Sequence, residues 1–176
     1  MTAVAQRVQR TLRAIPDYPK PGILYQDITP VLRDGTLFHD VVTEMGRPFR
    51  DAGVTHVLGI EARGFILGGA MATALGAGFV PARKPGKLPW ERASEAYDLE
   101  YGSDALEAHR DALSPSNRVL IVDDVLATGG TARAAGQLAR SLGAELVGWS
   151  FLLEIEALRG RERLEGALCH VVVGVS

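Results

Sequence analysis

Apolar positions fall along this chain with two different spacings. Residues 56–60, 78–82, 118–122, 146–153 and 167–173 are short, nearly continuous apolar runs, the pattern of strands buried on both faces. Between them, residues 4–15, 37–52, 65–75 and 131–142 have helical periodicity, with Leu37, Val41, Val42, Met45 and Phe49 sharing one face of the second. Residues 106–113 read as a further short helix, and residues 23–28 as an extended segment after a break at the Pro-rich stretch 16–22. The alternation predicts an α/β domain, a mostly parallel twisted sheet with helices on both faces.

The length, 176 residues, suits one domain over residues 1–176. Residues 83–102 break the pattern: Pro85, Gly86, Pro89 and several charges predict a long flexible loop of the kind that acts as a lid, with room for a small hairpin near its end. Residues 64–82 contain no charge, yet they are rich in Gly and Ala and divide better into a helix and a strand than into a membrane span. The first 13 residues lack the apolar stretch of a secretory signal. A net charge of −2 gives no reason to expect nucleic-acid or membrane binding. Cys169 is the only cysteine, which excludes an intrachain disulfide and a cysteine zinc cluster, and its apolar neighbours favour a core role in a reducing compartment. His39, His56, His109 and His170 lack ligand spacing and read as surface or strand-end residues.

The most informative segment is residues 119–131, Val-Leu-Ile-Val-Asp-Asp-Val-Leu-Ala-Thr-Gly-Gly-Thr. A buried parallel strand ends at Asp123 and Asp124, where open α/β sheets bind ligands. Ionised carboxylates suit the hydroxyls of a ribose and a hydrated Mg²⁺. Ala127, Thr128, Gly129, Gly130 and Thr131 then turn into a helix whose backbone N–H groups and hydroxyls can cradle a phosphate. Diol and phosphate recognition a few residues apart is what a ribose 5-phosphate requires. A second strand-to-helix turn, Gly-Ile-Glu-Ala-Arg-Gly-Phe at 59–65, lacks the Lys-Ser/Thr of a P-loop.

Residues 119–131 resemble the motif with which type I phosphoribosyltransferases bind phosphoribosyl pyrophosphate (PRPP). Within that family, the segments Arg-Lys-Pro-Gly-Lys-Leu-Pro at 83–89, Ile15 to Pro30 and Tyr97 to Gly102 are similar to the adenine phosphoribosyltransferases, a resemblance running from about residue 15 to 153. It implies the type I fold, with residues 1–34 as N-terminal helix and base-binding segment and 83–102 as lid. It also implies a pyrophosphate site at Glu61, Ala62 and Arg63 with Arg83 and Lys87, and a cis peptide at Glu61–Ala62. Adenine would lie between Tyr25 and Val125, beside Gln26, where the family commonly has Arg. Glu100 would handle the proton of the base, and Tyr101 would help close the lid. The implied reaction joins adenine to PRPP, giving AMP and pyrophosphate, with Mg²⁺ held through PRPP and water and Asp123 and Asp124 as candidate ligands. A cytoplasmic homodimer, with Arg83 reaching the neighbouring site, completes the expectation. Transfer to another base, and a non-catalytic PRPP-binding regulator, stay open at this point.

Overall fold

The computed structural model describes residues 1–98, 103–164 and 166–175. Helix α1 (Ala3–Thr11) is capped by the Thr2 hydroxyl, which accepts from the Ala5 N–H at 3.2 Å. It stops before Leu12, earlier than its periodicity suggests, because β1 (Arg13–Pro16) pairs antiparallel with β2 (Leu24–Asp27). The ribbon offers these residues a hydrogen-bonding partner that the local pattern does not reveal. Short α2 (Thr29–Arg33) leads into α3 (Gly35–Gly46), started by Asp34, whose carboxylate accepts from the Leu37 N–H at 3.0 Å. A 3₁₀ turn at Arg47–Phe49 replaces the last turns of the expected longer helix, at the residue before Pro48.

The centre is a five-stranded, fully parallel sheet in the order β4-β3-β7-β8-β9. Its strands are β3 (His56–Ile60), β4 (Gly78–Ala82), β7 (Arg118–Leu126), β8 (Glu145–Ile155) and β9 (Leu168–Val175), with β5 (Arg92–Asp98) and β6 (Ser103–His109) forming a separate hairpin. One face packs Val57, Leu120, Val122, Leu152 and Val173 against α1, α2, α3 and α4 (Gly64–Leu75). The other packs Leu58, Ile60, Ile121, Trp149 and Phe151 against α5 (Gly130–Ser141) and the hairpin. Strand β7, central and buried on both faces, carries the densest apolar run of the motif region.

The hairpin corrects one expectation: β5 is the first arm of the small hairpin expected near the end of loop 83–102, but β6 stands where residues 106–113 read as a helix. Leu106 and Ala108 alternate with Glu107, and both pack into the core beside α5. Cross-strand pairing and that apolar face override a helical reading based on a few residues. The hairpin is tied to the sheet where Arg83 and Glu107 exchange backbone hydrogen bonds of 2.8 and 2.7 Å.

Candidate active site

Strand β7 carries Asp123 and Asp124 within its last residues, since pairing with β8 continues to Leu126–Glu154. The Asp123 carboxylate accepts from the Asp124 N–H at 2.8 Å. Its pKa is pushed well above the ordinary carboxylate range, first by burial and then by the adjacent Asp124 charge. Gly64 at the start of α4 permits this arrangement. A β-carbon there would stand 2.7 Å from Asp123 Oδ1, so the helix end closes over the carboxylate only because the residue has no side chain.

Asp124 is buried and pairs with the Nε of Arg63. Burial opposes the charge on Arg63, but the Asp124 carboxylate outweighs it and raises the guanidinium pKa. The same guanidinium lies 5.7 Å from the ring centroid of Tyr25, within cation–π range. Arg63 therefore joins three parts of the chain: β7, the turn before α4, and the N-terminal ribbon. That ribbon is fixed locally by Asp27, which accepts from the Thr29 N–H and hydroxyl, both at 2.9 Å, and by an edge-on contact of Tyr18 with Tyr25 at 5.2 Å.

Beyond β7 the chain turns through residues 127–129, with Gly129 at φ +81° capping α5. Asp123, Val125, Thr128 and Thr131 line a cleft of about 80 Å³ over this turn. The helix N-terminus supplies backbone donors there, and the two threonines supply hydroxyls.

The second strand-to-helix turn contains a cis peptide at Glu61–Ala62. Glu61 is held by Arg83 Nε at 2.9 Å and by Lys87. Burial alone would raise its pKa, yet hydrogen bonds from Lys87 and Arg83 reverse this and hold it below the usual value. The two cations expected to meet pyrophosphate are thus clasped by an internal carboxylate.

The structure brings Tyr25, Arg63, Asp123 and Asp124 together, and separately Glu61, Arg83 and Lys87. It does not add Gln26 to the first group: its side chain lines a different cavity, with Gln9, Leu12, Glu156 and Gly174. Tyr25 and Gln26 are consecutive on β2, so their side chains leave opposite faces. Glu100 and Tyr101 lie outside the described residues.

Three features have no signal in the motifs. Lys84 Nζ bonds the Tyr97 hydroxyl at 2.6 Å and pairs with Asp104, tying β4's exit to both strands of the hairpin. Buried Glu107 accepts from Arg92 Nε and from the Gly86 N–H, each at 3.0 Å. Gly160 packs against the turn at residues 127–129. Each is a contact between distant segments, which spacing alone cannot show. Among the described residues, no cluster of three His, Cys, Asp or Glu side chains could hold a metal ion.

The sequence model of the phosphoribosyl transferase domain matches residues 45–165. The chain is 56% identical over 163 residues to an adenine phosphoribosyltransferase of Myxococcus xanthus, covering 93% of this chain and 89% of that protein. The crystal structure of an adenine phosphoribosyltransferase from Rhodothermus marinus superposes with a TM-score of 0.94 at 47% identity, covering 98% of both chains. That of Saccharomyces cerevisiae, complexed with an imino-altritol bisphosphate and adenine, gives 0.92 at 38% identity over 98% of this chain and 99% of that one. With two acids at the end of β7, a glycine turn after it and a cis turn after β3, this chain belongs to the phosphoribosyltransferase family, among the adenine phosphoribosyltransferases.

Proposed function

We propose that this chain, as a single domain, transfers the 5-phosphoribosyl group of PRPP to adenine, giving AMP and pyrophosphate. The observation that carries the reading is the pairing of Asp124 with Arg63, which ties the end of β7 to the Tyr25 ring next to the cleft that Asp123, Val125, Thr128 and Thr131 line. The Saccharomyces cerevisiae relative is described in complex with adenine, which supports that base.

The turn at residues 127–131 binds the 5-phosphate through backbone amides and the Thr128 and Thr131 hydroxyls. Asp123 and Asp124 accept from the ribose hydroxyls. Tyr25 covers one face of the adenine ring and Val125 the other, with Gln26 contributing main chain only. As the bond to pyrophosphate breaks, the ribose becomes cation-like and charge grows on the departing oxygens. Arg63, Arg83, Lys87 and the amides of residues 61–63 stabilise that charge, with Arg83 and Lys87 leaving Glu61 to do so. Glu100 takes the imidazole proton of the base as the opposite nitrogen attacks, and Tyr101 helps exclude water that would capture the same cation.

The carboxylate pair fits a hard, oxygen-preferring cation such as Mg²⁺, but two acids make no complete cage, so most of its coordination would come from PRPP oxygens and water. When bound, such an ion neutralises charge on the departing pyrophosphate. We further propose a cytoplasmic homodimer: Ile66 and Phe79 leave exposed apolar surface on α4 and the edge strand β4, the strand that leads to Arg83. No described helix is long and apolar enough to cross a membrane.

The test is pyrophosphate release with PRPP, Mg²⁺ and a panel of adenine, hypoxanthine, xanthine and orotate. Release with adenine alone is expected. Release that prefers another base, or none with any base, overturns the proposal.

A further inference from the structure

We infer that the outer face of α5 carries a second oxyanion site, apart from the turn at residues 127–131, that takes a phosphorylated small molecule. Arg133, Gln137 and Arg140 follow one another at four- and three-residue spacing and share one face of α5. Together with Arg163 and Trp149 they line a cup of about 120 Å³. Among the described residues that line it, every side chain can donate a hydrogen bond and none is a carboxylate, and Arg140 already has a partner. A larger lobe of about 230 Å³ shares Arg133, Gln137 and Arg163 and extends to Gly130, Glu95 and Tyr97.

Two observations separate this cup from an ordinary solvated helix face. Among the described residues, Arg133 and Arg163 make no side-chain hydrogen bond or ion pair. Trp149 is 1% exposed, and its Nε1 has no acceptor. A buried indole N–H normally finds a partner. Gly136 of α5 lies over the ring, where a β-carbon would stand 3.4 Å from Trp149 Cζ2, in ordinary contact. Among the described residues, Arg133, Arg163 and the Trp149 indole lack an acceptor, and a phosphoryl oxyanion supplies several, matched to the guanidinium fork. Among the described lining residues the one acid, Glu95, borders only the larger lobe, so the phosphoryl group belongs in the inner cup and the rest of the ligand in the outer one. An occupant would touch α5, Gly130 and β5 at once, coupling the hairpin to the phosphate turn.

The chain has two tryptophans, so Trp90→Phe leaves Trp149 as the only indole reporter. Titration of that protein with inorganic phosphate, pyrophosphate and ADP in separate arms distinguishes free phosphate from a phosphoryl group on a nucleotide. A saturable change in Trp149 fluorescence is expected in at least one arm, weakened about tenfold or more by R133Q/R163Q and retained in T128A/T131A. Should R133Q/R163Q fail to fold, Gln137→Glu, which places a negative charge in the cup, is expected to weaken binding likewise. No saturable response, one insensitive to these substitutions, or one lost in T128A/T131A instead, overturns the inference.

Discussion

Gly160 stands so close to the phosphate turn that a β-carbon on it would lie 2.1 Å from the carbonyl oxygen of Ala127, and one on Gly129 would lie 2.4 Å from the Gly160 carbonyl. The turn is thus backed by a segment more than thirty residues further along the chain, at a spacing only two glycines allow. Gly129 also needs its positive φ. Gly160→Ala is therefore expected to push the turn outward, costing about 1–3 kcal/mol of stability. Weaker PRPP binding should accompany the loss. Thermal unfolding and calorimetric titration check it, and unchanged PRPP affinity would show that the backing does not matter.

D123N/D124N removes both charges from the end of β7 and leaves Arg63 without its carboxylate partner. PRPP affinity should fall sharply in isothermal titration. Wild-type affinity in the double variant would detach these acids from the ribose.

Glu100→Gln keeps the shape of the residue and removes its proton-handling. Turnover should drop about 10²–10⁴-fold while PRPP binding changes little. Single-turnover kinetics with a parallel binding measurement separates the two, and unaltered turnover would take Glu100 out of the mechanism.

The Lys84–Asp104 pair gives a pH signature. Burial would raise the Asp104 carboxyl, but the hydrogen bond from Lys84 prevails and lowers it below 3.8. Burial would likewise lower Lys84, but Asp104 and Tyr97 raise it above 10.5. The pair's contribution is therefore fully present between those values. It is lost as pH falls through the depressed Asp104 pKa, or rises through the elevated Lys84 pKa. Both side chains are partly exposed, so the contribution is about 1 kcal/mol or less. The stability gap between wild type and Asp104→Asn, measured by denaturant unfolding, should be flat near neutrality and close in strong acid. A gap that widens in acid contradicts the assignment.

Burial pushes the Cys169 thiol up to about 11, with Arg161 opposing. Folding thus favours the protonated thiol, and that contribution is retained below the unfolded pKa and lost as pH rises through about 11. Slow reaction with a disulfide reagent near neutral pH, accelerating in strong alkali or on unfolding, is the expected outcome. Rapid labelling of the native protein near neutrality would exclude it.

The sequence by itself determined the parallel sheet and the run of acids and glycines at the end of its central strand. The runs that became β3, β7 and β8 are continuous in apolar residues because both faces are buried, and the edge strands β4 and β9 keep the same apolar pattern with partial burial. Asp123, Asp124 and the turn through Gly129 were legible because acids, glycines and hydroxyls that act together are neighbours in the chain. Only the tertiary structure decided what depends on partners far away. It made residues 103–109 a strand through pairing with β5, joined Arg63 to Asp124, and set Gly160 behind Ala127. Such contacts are fixed when the sheet brings distant segments within a few ångströms of each other, and no local pattern records them.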